Sequence, residues 1–145
     1  MLKRDSLKLL ATVENLDVLM DWMDNLISSC GYTGNAKVQL DIAVEEIFVN
    51  IAQYAYEYEG AGSADITVEV DDNPLRVMVR FEDTGREYNP MAKKDPDINL
   101  PIKERKIGGL GIFMTKNSMD KMTYEYRDGK NVLTIMKNHL LDSKD

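Results

Sequence analysis

Apolar and polar positions change period several times along this chain, and each change marks an element. Over residues 6–14, Leu7, Leu9, Ala11 and Val13 fall on alternate positions, as in a short half-buried strand. From Leu16 the spacing lengthens to steps of three and four through Leu19, Met20, Met23, Leu26, Ile27 and Cys30. That is one apolar helix stripe, with Asn15 or Asp17 as N-cap and Gly31 and Gly34 at its end. A longer helix is predicted from about Asn35 to Glu57, closed by the loop EYEGAGSAD. Alternation returns through Ile66, Val68 and Val70, and again through Leu75, Val77, Val79 and Phe81, about an Asp71-Asp72-Asn73-Pro74 turn. Residues 84–107 carry no period but hold Pro90, Pro96 and Pro101, so they read as a long loop. A short helix begins near Gly109–Gly111, and two strands, about Lys121–Arg127 and Asn131–Lys137, are joined by Asp128-Gly129. The order β-α-α-β-β-loop-α-β-β, with no strand that is a continuous apolar run, predicts an α+β fold. Its sheet is expected to be mostly antiparallel, with helices on one face.

Composition then removes whole classes of function. The chain has 145 residues, which suits one domain over 1–145, and its 25 acids against 18 bases leave a net charge of −7. An acidic chain is a poor general binder of nucleic acid. No apolar run approaches the roughly 18 residues of a membrane span. The opening MLKRDSLKLL breaks the apolar stretch a signal peptide needs, so a cytoplasmic location is expected. One cysteine, Cys30, excludes an internal disulfide and a cysteine-cluster metal site. One histidine, His139, speaks against a zinc site or a Ser-His-Asp triad. The chemistry must come from carboxylates, amides, glycines and a few basic groups.

Three clusters offer such groups. On the long helix, Leu40, Val44, Ile47, Phe48, Ile51 and Ala55 fill one apolar arc, and Val38, Ile42 and Val49 a second. Glu46 and Asn50, four apart, fall between the arcs, where a carboxylate and an amide are costly unless satisfied. A hard cation with water and phosphate ligands would satisfy them, and so would neighbouring backbone. Next, the strand Leu75–Phe81 runs into Glu82-Asp83-Thr84-Gly85, an acid at a strand end followed by a glycine that lets the chain turn sharply. Asp83 could accept a hydrogen bond from an exocyclic amino group such as adenine N6, or the segment could be an ordinary turn. Last, Gly108-Gly109-Leu110-Gly111 stands ahead of a helix, where bare N–H groups and the helix dipole favour phosphate. Before it, residues 91–107 carry five bases (Lys93, Lys94, Lys103, Arg105, Lys106) and three acids (Asp95, Asp97, Glu104), a basic stretch in an acidic chain. A solvated charge run with a glycine hinge accounts for those residues equally well.

The order of the clusters decides what none decides alone: Glu-x-x-x-Asn on a helix, Asp-x-Gly after a strand, a basic loop, then Gly-Gly-x-Gly. In that order the sequence resembles the GHKL ATPase superfamily, which takes in gyrase, the heat-shock chaperone, histidine kinases and the mismatch-repair ATPase. More narrowly it resembles the stand-alone anti-sigma-factor serine/threonine kinases. AVEEIFVNIAQYAY is similar to that family's N box, FEDTGREYNP to its first glycine box, and IGGLGIFMTKNSMDKMTYEY to its second. The resemblance runs from the first strand through NVLTIMK.

The resemblance implies a single histidine-kinase-like ATPase domain with a two-layer Bergerat-type ATP-binding fold, its sheet mostly antiparallel but mixed, and an ATP lid over about 86–107. It implies that Asn50 ligates the Mg²⁺ bridging the ATP phosphates and that Glu46 is the general base. Asp83 would bind adenine N6 and Gly85 would allow close approach of the base. Gly109, Leu110 and Gly111 would cradle phosphates, with Arg105 a lid residue near the terminal phosphate. Thr134 would support Asp83 or its water. The implied partners are a sigma factor and a small antagonist protein, the latter phosphorylated on Ser or Thr, and the implied assembly is a homodimer. A nucleotide-gated protein-binding module with little phosphotransfer is the alternative, and the ATP-binding half of a histidine kinase is a weaker third reading. Two departures stand out: Tyr54 occupies a position where the family often has His, and Glu87 stands where Asp-x-Gly-x-Gly would continue.

Overall fold

A computed structural model describes residues 1–92 and 109–139. The alternating segments become five strands: β1 (Lys3–Leu10), β2 (Ser63–Asp71), β3 (Arg76–Asp83), β4 (Lys121–Arg127) and β5 (Lys130–Asn138). The periodic segments become α1 (Leu16–Ser28), α2 (Gly34–Asn50) and α3 (Gly109–Ser118). All eight follow one another as the sequence pattern predicts.

The strands form one sheet in the order β1-β2-β3-β5-β4, and each of its four pairings is antiparallel. Register puts Leu7 opposite Ile66, Ile66 opposite Phe81, and Phe81 opposite Leu133. Because side chains alternate across a strand, Ile66, Val68, Val79, Phe81, Leu133 and Ile135 share one face. That face packs against Leu19, Met23 and Ile27 of α1 and Leu40, Val44, Ile47 and Phe48 of α2 in a single buried cluster. Each such side chain withdrawn from water contributes about 1.5–3 kcal/mol. The architecture is a two-layer α+β sandwich with its helices on one face of the sheet. The other face is polar, with Arg4 donating to Glu69 at 3.0 Å and Ser6 bonded to Thr67 at 3.0 Å.

Local chemistry explains the boundaries. Gly31 has φ +85°, and Tyr32 N–H donates to Ile27 O while Gly31 N–H donates to Ser28 O. Those two bonds are a Schellman ending, which needs the left-handed residue. Asn15 stands at the N-cap of α1 but does not cap it, because its amide is drawn back to Leu10 O at 2.8 Å. β1 lies earlier than the apolar alternation predicts. As an edge strand it is held by pairing with β2 from Lys3 onward, so polar residues extend it, while Val13 lies in a 3₁₀ turn beyond its end. The long helix ends sooner than expected, at Asn50, and is continued by a single π-helical turn over Ile51–Ala55. In that turn each carbonyl is bonded one residue later than in an α-helix, so the side chains beyond Asn50 rotate away from the α-helical face. Among the described residues no helix is long and apolar enough to cross a membrane.

Candidate functional site

Burial of Ala43, Val44, Ile47 and Phe48 fixes the rotation of α2, and that rotation leaves Glu46 and Asn50 half-buried at the side of the helix. They stand one turn apart. Burial pushes the Glu46 carboxyl above its ordinary range, and the neighbouring Glu45 carboxylate adds to the shift. A carboxylate so poised accepts a proton more readily than one in water. α3 crosses α2 at this point. A methyl group at Gly111 would overlap the Glu46 carboxyl, so the glycine leaves room for that carboxyl where the two helices meet. The second glycine motif and the helix carboxylate are therefore neighbours in space.

The π-helical turn carries the chain from Asn50 to the first glycine motif. Ala55 O accepts a hydrogen bond from Arg86 N at 2.9 Å, and a methyl group at Gly85 would overlap that same carbonyl. Tyr56 Oη donates to Ser63 O at 2.6 Å and accepts from Thr84 N at 3.1 Å. Both arms of the Thr84–Arg86 loop are thus seated on the π-helical turn and on Tyr56 just beyond it. Asp83, at the end of β3, is 7 % exposed. Its Oδ1 accepts from Gly85 N at 2.9 Å and from Asn131 Nδ2 at 3.0 Å. Burial raises the Asp83 carboxyl above its ordinary range, and those two hydrogen bonds pull it partly back.

The structure sets Gly111 against Glu46, and Asp83 beside Gly85, which lies against Ala55 of the π-helical turn; Asn50 stands between these two pairs along the helix and its π-helical continuation. Gly109 and Leu110 open α3. Arg105, and the part of the expected lid beyond Ala92, lie outside the described residues. Thr134 does not support Asp83. It pairs with Arg80, three positions from Asp83 along β3, or about 10 Å at strand spacing. It also projects from the opposite face of the sheet, since Asp83 faces the same way as Phe81 and Arg80 does not. The residue across from Asp83 is Asn131. Sequence reasoning missed it, although an amide two residues past Gly129, at the head of the apolar pair Val132-Leu133, was the available signal. Tyr54, 40 % exposed, projects from the π-helical turn. His139 lies against Tyr32 with ring centroids 5.4 Å apart, well away from these groups in the fold.

A family model for the histidine kinase-like ATPase domain matches residues 9–137, a span that includes every residue of this site. The chain belongs to that family. The domain's ligand is accordingly ATP. Among curated proteins, the chain is 21 % identical over 141 residues to the serine/threonine-protein kinase BtrW of Bordetella bronchiseptica, covering 97 % of this chain and 98 % of that one. It is 26 % identical over 129 residues to the serine-protein kinase RsbW of Bacillus cereus, covering 88 % and 80 % of the two chains. Against the serine-protein kinase RsbW of Listeria monocytogenes the identity is 29 % over 115 residues, covering 77 % and 72 %.

Proposed function

We propose that this chain is an ATP-dependent serine/threonine protein kinase that also acts as an anti-sigma factor. Its protein substrate would be a small antagonist of that regulation. The observation that carries the kinase reading is the seating of Gly111 of α3 against the Glu46 carboxyl. It puts a proton acceptor of raised affinity beside the glycine motif where phosphates are expected. In this reading Asp83 accepts from the adenine amino group and Gly85 leaves room for the ring. Gly109, Leu110 and Gly111 offer backbone N–H groups to phosphate at the start of α3. Glu46 removes the proton of the attacking Ser or Thr hydroxyl as its oxygen bonds to the terminal phosphorus. The bond from that phosphorus to the bridging oxygen breaks, and ADP leaves.

Asn50 fits a cation. It is half-buried at the junction of α2 and the π-helical turn, and its amide makes no hydrogen bond to a described side chain or backbone group. Its oxygen is a hard ligand of the kind Mg²⁺ takes. Mg²⁺, when bound, supplies charge neutralisation to the phosphates. The same reading includes a homodimer, for which the polar sheet face bearing Met78 and Met136 is open to a second copy, and a cytoplasmic location. Titration calorimetry of ATP with and without Mg²⁺ tests it. Mg²⁺-dependent binding that is lost in Asn50→Ala supports the assignment, and equal affinity in the two proteins contradicts it.

A further inference from the structure

We infer that Asn131 is a positioning residue for the base pocket: its side-chain amide fixes which oxygen of Asp83 is offered to the nucleotide base and holds the 84–88 loop in place around it. The inference rests on the assignment of Asp83 to adenine made above. Asn131 is 6 % exposed and every polar position of its amide is used. The amino end meets three acceptors: Asp83 Oδ1 at 3.0 Å, Arg86 O at 2.8 Å and Gly85 O at 3.4 Å. The carbonyl end meets two donors, Tyr88 N at 3.0 Å and Tyr124 Oη at 2.5 Å. Turned over, the amide would set its oxygen against three acceptors and its amino group against two donors. The orientation is therefore imposed by its surroundings.

The consequence falls on Asp83. Its Oδ1 is taken by Gly85 N and by Asn131, while among the described residues no donor meets Oδ2. Oδ2 is the acceptor left for a ligand, and an ionised acceptor selects an amino group over a carbonyl on the base. No other residue type of this size serves at position 131. Aspartate has no donors and would set a second carboxylate against Asp83, and threonine cannot span from Asp83 to Tyr88. Other charged or titratable groups near Asp83 are Tyr124 on β4 and Glu87 in the loop. Lys8, Asp65, Glu82 and Lys130 line a groove with Asp83 at the strand ends.

The test is equilibrium binding of Mg-ATP and Mg-ITP to the full chain across roughly pH 5.5–8.5, with folding checked by circular dichroism. ITP carries a carbonyl where ATP has the amino group. In N131D, ATP binding is expected to weaken about tenfold or more, the worth of a hydrogen bond to a charged group. The preference for ATP over ITP should shrink towards one. The fall of ATP binding on acidification should begin at higher pH than in wild type, because Asp83 loses a donor that favours its ionised form and gains a like charge. A residue that only holds the loop together would leave that pH profile unmoved. Tyr124→Phe removes one donor to Asn131 without adding charge and should shift both readouts the same way by less. Should N131D fail to fold, Tyr124→Phe carries the test alone. A folded variant with the wild-type ATP/ITP ratio and pH profile overturns the role of Asn131. Asp83→Ala separates the two claims: if it keeps wild-type selectivity, the adenine assignment itself is wrong, whereas selective loss there with an unchanged N131D overturns only the inference about Asn131.

Discussion

The Glu46 carboxyl fills the space that a Cβ at Gly111 would take, so that any side chain at position 111 would meet it. The clash is with the end of a side chain that can rotate. At Gly85 the corresponding clash is with Ala55 O, a backbone atom that cannot.

The two glycines should therefore fail differently. Gly111→Ala displaces Glu46 to a strained or alternative rotamer at a cost of about 0.5–1.5 kcal/mol. Phosphotransfer falls on the order of 10²-fold, as expected for a catalytic group moved by about an ångström. Gly85→Ala pushes the loop off the π-helical turn and costs about 1–3 kcal/mol of stability. Urea midpoints together with turnover separate the two, and equal stability losses would contradict this contrast.

Asp83→Ala removes the proposed adenine acceptor. The expected loss of ATP affinity is on the order of 1.5–3 kcal/mol, the range for a hydrogen bond to a charged group. Calorimetry with ATP and with GTP measures it. An unchanged ATP affinity, or a wild type that prefers GTP, would contradict the assignment.

A pH dependence of stability arises away from the site. Lys37 Nζ lies 3.1 Å from Asp24 Oδ1 and 2.9 Å from Asp41 Oδ2, joining α1 to α2. Burial, with the nearby Asp24 carboxylate, pushes Asp41 from 3.8 up to about 6. A carboxyl raised on folding takes up its proton more readily in the native state. Its contribution to stability is present below about 3.8 and is lost as pH rises through about 6. Asp41→Asn removes that loss. Its stability relative to wild type should grow by on the order of 1–2 kcal/mol between acid and neutral pH, after allowance for partial exposure. Denaturant midpoints at about pH 4.5 and 7.5 check the trend, and a gap that stays constant would contradict it.

Much of this was legible in the sequence, for identifiable reasons. Strict alternation at Val77, Val79 and Phe81 fixed both the strand and its buried face, and the Asp128-Gly129 turn fixed the last hairpin. Glu46 and Asn50 were visible because polar residues interrupt apolar arcs at helical spacing. The π-helical turn was not visible, because it depends on where Ala55 O and Tyr56 meet the 84–86 loop, contacts between residues far apart in sequence, Tyr56 and Thr84 being 28 positions apart. Thr134 was misassigned because composition marks a hydroxyl in an apolar strand but does not say which face it leaves by. Register settles that, and register placed Asn131 beside Asp83 instead.

Phosphotransfer by the Glu46→Gln variant tests the central claim most directly. Glutamine keeps the shape and hydrogen-bonding reach of Glu46 but cannot take a proton. With radiolabelled ATP and a small antagonist protein as acceptor, wild type should label a Ser or Thr of the acceptor. Glu46→Gln should do so roughly 10²–10⁴-fold more slowly, with ATP affinity close to wild type. Transfer left intact in Glu46→Gln, or no transfer by the wild type, would contradict the kinase and leave a nucleotide-gated binding module as the better account.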